Sequence, residues 1–520
     1  MGTTLGGDQA ARLVRGRWVV TGATPDDATI ADGAVLIRGD RIQAVGSWQD
    51  LRPRYPEVDV SGSDEMAVIP GLISAHHHST GVTSTQQGIG DDILELWLLE
   101  MRLVRPGDPY LDTLLASARL LRSGVTSLVD MHQCRGPAKT CSERIDRVLL
   151  AYEQAGIRVA FAPGVANQNS IVSGATQAEV RRFLDGLPDE VRKTAEAMMP
   201  GPSHLQPDEY MALMDALWHR FKKHPRIDIW FGPPGPNWVS DEFMVRIAER
   251  ARVLDTGIQT HLSESLYEKV YGGRAYGRST IDHLERLGVL DPRFTMAHAV
   301  WLTESEIVIL ARTGAALSHN PSSNLRLRAG IAPVNALVRA GVTVGLGLDG
   351  RGLDDDDDIF REMRMALQLH RGPIIGSPSL APREALHLVT HGGAHLLGKA
   401  DQLGRIAPGY AADLVLVDLR RLTWPWTAPE LDPRDLLILR TQAQDVRTVF
   451  VGGRLVMENG RPTGFDLEAV GRELSGLLAA TPLSVEMAGR VAALRRHAEE
   501  FYGGWEMPML NPFTRYNSRT

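Results

Sequence analysis

The run Pro70-Gly71-Leu72-Ile73-Ser74-Ala75-His76-His77-His78 constrains this chain more than any other segment. It follows the apolar stretch Met66 to Ile69, which reads as a buried strand. Alternate side chains of a strand share a face, so His76 and His78 point together and His77 points away. Two imidazoles on one face can chelate a transition metal. Histidine clusters also arise by chance on surfaces, so the weight comes from three other segments. Gly257-Ile258-Gln259-Thr260-His261-Leu262-Ser263-Glu264, Phe294-Thr295-Met296-Ala297-His298 and Val342-Thr343-Val344-Gly345-Leu346-Gly347-Leu348-Asp349-Gly350 are each short apolar or β-branched runs. Each ends in residues able to bind metal or move protons. Taken singly, such a residue is more often a satisfied core histidine or a helix cap. At the carboxyl ends of barrel strands all four segments would converge on one mouth, where the active sites of such barrels lie.

The alternation of strand-like and helical patterns from Met66 to about Lys399 is that of a (β/α)8 barrel. Its strands are expected near Val68–His76, Val125–Met131, Ile157–Pro163, Ile227–Phe231, Gly257–Leu262, Phe294–His298, Ala315–His319 and Val342–Leu348. Helices are expected between them, among others at Pro109–Arg122, Asp208–Lys223, Asp241–Leu254 and Thr303–Thr313. Short alternating segments between turns, such as Ala34 to Ile37 before Gly39-Asp40, recur from Arg12 to Asp64 and from Leu403 to Arg461. The fold class expected is therefore α/β, a TIM barrel over residues 66–402 with a small discontinuous β-sandwich domain. The N- and C-terminal segments, 1–65 and 403–461, would form that domain. Residues 462–520 read as a helical and aromatic tail. Its Phe501, Tyr502, Trp505, Met507, Met509 and Phe513 are expected to pack on the barrel or a neighbouring subunit, with a partly disordered terminus as the alternative.

A chain of 520 residues with 43% hydrophobic content buries a large core. Its net charge of −7 offers no basic footprint for nucleic acid or anionic membrane. No stretch reaches the roughly 18 apolar residues of a membrane helix, and the Gly-rich amino terminus has no signal-peptide core. Cys134 and Cys141 alone make no disulfide framework, and their spacing fits no common zinc site. The reading is a cytoplasmic protein with ordinary thiols that acts on a small molecule, with no nucleic-acid or membrane partner.

The order HxH, HxxE, His, Asp, with Ser318-His319-Asn320-Pro321-Ser322-Ser323-Asn324-Leu325-Arg326-Leu327 and Gly404-Arg405-Ile406-Ala407-Pro408-Gly409-Tyr410-Ala411-Ala412-Asp413-Leu414, resembles the amidohydrolase superfamily. The similar branch holds cytosine, guanine and S-adenosylhomocysteine deaminases and triazine hydrolases, and the likeness runs from about Val35 to Gly460. It implies that His76, His78, His261 and Asp349 ligate one divalent ion and leave a position for water. Asp349 would take a proton from that water, Glu264 would protonate a ring nitrogen, and His298 would bond the attacking oxygen. Dinuclear relatives bridge two ions with a carboxylated Lys or a Glu on the fourth strand. Here that strand has no Lys, and Asp228 falls mid-strand, so one ion is expected, Zn²⁺ first and Fe²⁺ as alternative. Related enzymes are commonly dimers or larger, and the aromatic tail suits an interface, so a homo-oligomer is expected.

Other chemistry-bearing residues are discounted. His77 should face the wall, while His132 and His319 could line the pocket or support the ligands. The acidic run Asp354 to Asp358 should start a helix, whose N-terminal dipole it complements. His387, His391 and His395 follow helical spacing on the outside of the barrel. Substrate contacts are expected from Gln86, Trp97, Asn167, Trp238 and Ser322, on loops or helices near the mouth. The activity expected is deamination of an amino-substituted heterocycle of nucleobase, pterin or triazine type. The alternative is cleavage of another C–N bond, in an acyclic amide, urea or carbamate, or triazine dechlorination on the same site.

Overall fold

The computed structural model describes residues 11–168, 171–354 and 356–513. Near the amino terminus run β1 (Ala11–Val20), β2 (Thr29–Arg38), β3 (Arg41–Ser47) and β4 (Asp59–Pro70). Then come β5 (Leu72–His77), β6 (Val125–Gln133), β7 (Arg158–Gly164), β8 (Ile227–Ile229), β9 (Ile258–Leu262), β10 (Phe294–His298), β11 (Ala316–His319) and β12 (Val344–Leu346). The last strands are β13 (Leu414–Asp418), β14 (Val446–Val451), β15 (Arg454–Glu458) and β16 (Arg461–Pro462).

The apolar lead-in and the histidine run, expected as one strand, are two. β4 belongs to an eight-stranded sheet ordered β16-β15-β14-β13-β4-β1-β2-β3, whereas β5 opens a parallel sheet. The break falls at Gly71, whose N–H donates to Asp413 O at 2.8 Å. A Cβ there would lie 2.2 Å from Thr126 Oγ1, so only glycine lets the chain pass between the sheets at this point. Antiparallel pairing of β4 with β13, Met66 opposite Asp418 and Pro70 opposite Leu414, brings the two ends of the chain into one sheet.

The remaining strands form two parallel sheets, β5-β6-β7-β8 and β9-β10-β11-β12. Isolated parallel bridges, Phe231 to Ile258 and His77 to Asp349, link the two sheets at both margins. Parallel neighbours require crossover connections, here largely helical. The helix Pro109–Arg122 starts on Asp108, whose carboxylate accepts the N–H groups of Tyr110 and Leu111. It buries Leu111, Leu114, Ala118 and Leu121 on one stripe. Helices Ala138–Ala155, Pro207–Phe221, Asp241–Leu254 and Glu304–Thr313 alternate with strands in the same way. The result is a mixed α/β architecture whose parallel strands point their carboxyl ends at the residues of interest.

Two local expectations change. His387, His391 and His395 lie on two short helices, Pro382–Leu388 and His391–Leu396, separated at Thr390. A Cβ at Gly392 would come within 2.4 Å of Val344 O, so close packing on β12 sets the second helix's path. Of the acidic run, Asp355 lies outside the described residues; the helix Ile359–Leu369 begins after Asp358, whose side chain accepts the N–H of Phe360.

The tail forms helices Leu467–Ala479 and Val485–Gly503. Tyr502 OH donates to Ser173 O at 2.9 Å, and Phe501, Tyr502 and Trp505 pack in a cluster with Leu99, Phe183 and Tyr267. Arg495 pairs with Asp92 and Glu100, tying the last helix to the segment before Pro109. Met509 and Phe513 are exposed, and the end of the tail lies outside the described residues. Among the described residues no helix is long and apolar enough to cross a membrane.

Candidate active site

His76 and His78 at the end of β5, His261 in β9, His298 closing β10 and Asp349 after β12 meet in one cluster. Nε2 of His76 and of His78 lie 3.5 and 3.3 Å from Asp349 Oδ1, and Nε2 of His261 lies 3.3 Å from that of His78. The donor atoms of His76, His78 and Asp349 all fall within 4.8 Å of one another, as do those of His76, His261 and His298. His76, His298 and Asp349 are buried, and His78 keeps 16% of its side chain open.

The outer nitrogen of every imidazole is held. Nδ1 meets Gln259 Oε1 in His76, Met131 O in His78, Pro234 O in His261 and Asn324 Oδ1 in His298, at 2.7 to 2.8 Å. Gln259 is itself oriented, since its Nε2 donates to Ala75 O at 2.9 Å. Where a carbonyl or amide oxygen accepts the Nδ1 proton, Nε2 is left as a lone pair aimed inward. Nε2 of His76 and of His298 has no hydrogen-bond partner among the described residues, though both are buried. Buried polar atoms are normally paired, so this orphaning marks a place prepared for a ligand.

The backbone is strained at the same place. His298 has φ 78° and Asp349 φ 63°, with Ser79 and Ser263 also positive. Left-handed conformations are unfavourable for side chains other than glycine and gather at functional sites.

Electrostatics separate the two acids. Burial opposes ionisation of Asp349, but the close imidazoles of His76, His78 and His298 outweigh it and hold its pKa well below the ordinary value. Ser323 Oγ donates to its other oxygen. Glu264 moves the other way. Burial first, then the charges of Asp349, Glu268 and Glu95, push its pKa well above the usual carboxylate range. It faces His298, with Oε2 3.7 Å from Nε2. Burial brings the pKa of His298 down to about 4, so the ring is neutral at physiological pH. Glu268 accepts the N–H of Glu264 at 2.8 Å, and Ser265 Oγ donates to Glu95, which burial raises to about 7. The site thus sets a carboxyl with a depressed pKa and one with a raised pKa beside the rings of His78, His261 and His298, whose pKa values burial lowers.

The other expected residues are spread more widely. Trp97 is buried with Ile89, Leu94, Leu327 and Leu353. Gln86 is exposed and lines a separate cavity of about 1060 Å³ with Arg119, Arg326, Asp358 and Gln444. Asn167 clasps Ser240 through both ends of its amide, and its N–H donates to Trp238 O at 3.1 Å. Ser322 N–H donates to Glu362 Oε1 at 2.9 Å; the next residue, Ser323, is the one that reaches Asp349. His77 turns outward to Asp357 at 3.3 Å, His319 meets His370 at 2.9 Å, and His132 stands against Phe161. Asp228 pairs with Lys399 at 3.0 Å. Sequence reasoning missed Gln259, Asn324, Ser323, Glu95 and Glu268 as neighbours of the cluster. All but Glu95 lie in or beside segments already singled out, but their targets are distant in sequence.

Residues 67–456 match the profile described as amidohydrolase family, and residues 33–57 match that of a bacterial imidazolonepropionase-like composite domain. The chain is 32% identical over 449 residues to a 5-methylthioadenosine/S-adenosylhomocysteine deaminase of Moorella thermoacetica, covering 85% of this chain and 93% of that protein. Among solved structures it resembles an adenosine deaminase from Xanthomonas campestris with bound zinc (TM-score 0.76, 26% identity, 91% of this chain and 98% of that one). It also resembles an atrazine chlorohydrolase from Arthrobacter aurescens TC1 complexed with zinc (TM-score 0.75, 26% identity, 90% and 100% covered).

Proposed function

The chain belongs to the amidohydrolase family, and we propose that it is a metal-dependent hydrolase that deaminates an amino-substituted heterocycle, releasing ammonia. The observation that carries this reading is the placing of two carboxyls about one imidazole: Glu264 Oε2 and Asp349 Oδ2 stand 3.7 and 4.0 Å from His298 Nε2, with burial pushing the first up and imidazole neighbours holding the second down. Attack on an sp² carbon needs an acceptor for the proton of water and a donor for the ring nitrogen.

The donor set fits one divalent ion, held by His76, His78, His261 and Asp349. The orphaned Nε2 of His76 and the fixed Nδ1 contacts support that assignment. When bound, such an ion supplies Lewis-acid charge and brings the pKa of a water towards about 7. Zn²⁺ is the ion proposed, with Fe²⁺ compatible with the same donors. The pairing of Asp228 with Lys399 supports a single ion, because it occupies the fourth-strand carboxylate elsewhere.

In the reaction proposed, Asp349 accepts a proton as water oxygen bonds to the ring carbon, and Glu264 protonates the adjacent ring nitrogen. Asp349 passes its proton to the amino group, the C–N bond breaks, ammonia leaves, and the hydroxyl proton restores Glu264. His298, neutral and anchored by Asn324, orients the oxygen from Nε2. The test is ammonia release by metal-loaded protein from aminated pyrimidines, purines, pterins and triazines, with Glu264→Ala as control. Ammonia that vanishes in the variant supports deamination. Product only from acyclic amides, ureas or carbamates, or chloride from a chlorotriazine, moves the reaction to another bond on the same site.

The two parallel sheets are proposed to close as a (β/α)8 barrel over residues 66–402, supported by the bridges at both margins. The small discontinuous β-sandwich domain is proposed for 1–65 and 403–461, with 462–520 as the tail. A homo-oligomer in the cytoplasm completes the proposal; light scattering at 57 kDa would sink the first part.

A further inference from the structure

The cavity of about 1060 Å³ that Gln86 lines is walled by five arginines. Three helices deliver them. Arg119 and Arg122 stand in the last turn of Pro109–Arg122, Arg326 ends Pro321–Arg326, and Arg361 and Arg364 belong to Ile359–Leu369. Residues 119 and 122, like 361 and 364, are three apart, so each pair shares a helix face. The three helices are far apart in sequence, so no basic run marks the place. Among the described residues, its wall includes neither the clustered histidines nor Asp349 or Glu264.

Two carboxylates share the wall, Asp356 and Asp358. Asp358 is engaged by the backbone, accepting the N–H groups of Phe360 and Ala443 at 3.0 and 3.1 Å. Asp356 stands 3.6 Å from Arg361. Arg326 is held at 2.6 Å by Asp91, which is not part of the wall. The other three guanidinium groups have no close counter-charge. Arg364 Nη1 donates to two neutral carbonyls, Ile438 O and Thr441 O, at 3.2 and 2.6 Å. Arg119 Nη1 lies 3.7 Å from Asp357 Oδ2, past hydrogen-bonding distance. Arg122 is exposed and, among the described residues, forms no ion pair or side-chain hydrogen bond.

Guanidinium groups gathered around a space without matching carboxylates repel one another, and an oxyanion relieves this by accepting their forked N–H donors. A single small anion would leave most of this volume empty, since pockets of this size hold drug- or cofactor-sized ligands. Several anionic groups in one molecule match several arginines. The hydroxyls of Thr83 and Thr85 and the amides of Gln86, Gln442 and Gln444 add neutral donors and acceptors around the charge.

We propose that this cavity binds a polyphosphate chain, carried by a nucleoside or free, with Arg119, Arg122 and Arg364 gripping the phosphoryl oxygens. The site is independent of the reaction at the histidine cluster.

The test is calorimetric titration of metal-loaded, full-length Glu264→Gln protein, chosen so that no probe is turned over, with adenosine triphosphate, tripolyphosphate and adenosine. Arg122→Glu should weaken both phosphate probes by about tenfold or more, and Arg119→Gln should weaken them in the same direction. Arg181→Glu, an equal charge reversal at an exposed arginine of the helix Gln177–Asp185, should leave them within twofold. Tighter binding of the nucleotide assigns the chain to a nucleoside polyphosphate, and equal binding assigns it to the free chain. Adenosine reports the histidine cluster, and Arg122→Glu should not change its Kd. Absence of binding by both phosphate probes overturns the site, as does a loss in Arg122→Glu that extends equally to adenosine. Phosphate binding that survives Arg122→Glu and Arg119→Gln but disappears in His261→Ala places the anion on the metal and also overturns it. Arg122 has no partner to lose, so an unchanged thermal midpoint should accompany its variant.

Discussion

Among the described residues two clusters hold three or more close histidines, and the donor set of the proposed metal centre belongs to one of them. On the outside, His391 and His395 bring their Nε2 atoms within 3.1 Å, with the ring of His387 alongside. Nδ1 of His391 has no partner there, and His395 is exposed. Inside, each of the four rings has its Nδ1 on an oxygen, and an aspartate faces them. Proximity is common to both groups. The inner one adds acceptors that fix the tautomer, burial that limits competing water, and a carboxylate that completes the charge.

The largest effect that sharpens this contrast is loss of the inner donors. His261→Ala or Asp349→Asn should abolish tightly bound metal, measured by elemental analysis, and lower ammonia release by more than about a thousandfold. His391→Ala combined with His395→Ala should leave both within twofold. Equal metal loss from the two sets would erase the distinction.

Glu264→Gln should come next, with kcat reduced by about two to four orders of magnitude and metal content unchanged. In the proposed reaction Asp349 acts as the ionised acceptor and Glu264 as the protonated donor. The rate should therefore fall on the acid side as Asp349 takes up a proton and on the alkaline side as Glu264 loses one, and the variant should lack the alkaline limb.

Gln259→Leu touches no inward-facing nitrogen. It should nonetheless weaken metal affinity by about 10- to 100-fold in a chelator competition, because His76 loses the acceptor that sets its tautomer. Unchanged affinity would mean that backbone placement alone orients the ring.

The smallest effect is on stability. The pKa of Glu95 is raised from 4.5 to about 7, chiefly by burial. A raised carboxyl favours the folded state in its protonated form. That stability is fully present below about pH 4.5 and is lost as pH rises through about 7, by up to roughly 3 kcal/mol. Glu95→Gln should raise the thermal midpoint at pH 8 by a few degrees and leave it nearly unchanged at pH 4.5.

Much of this site is legible in the order of the residues alone. The strand Phe294–His298 and the helices Pro109–Arg122 and Asp241–Leu254 have the same bounds in the fold as in the sequence pattern. Their apolar spacing and caps are local, and local pattern is what a sequence displays. His76, His78, His261, Glu264, His298 and Asp349 all stand out, because each ends or follows a recognisable strand. The strand expected over Val68–His76 is the instructive miss: apolar character continues through Gly71, and only contact with Thr126 and Asp413 makes it a corner. The substrate-side residues are harder to read. Ser322 and Ser323 are equivalent in composition, and helix phase alone sends one to Glu362 and the other to Asp349.

By itself, then, the sequence determined the parallel strand–helix alternation, the family and the donor types, since periodicity and residue chemistry are properties of short segments. Tertiary structure decided which oxygen holds each imidazole and which carboxyl burial pushes up while its neighbour is held down. Those outcomes depend on burial and on groups tens to hundreds of residues apart along the chain, and Coulomb and desolvation energies follow distance in space, not in sequence.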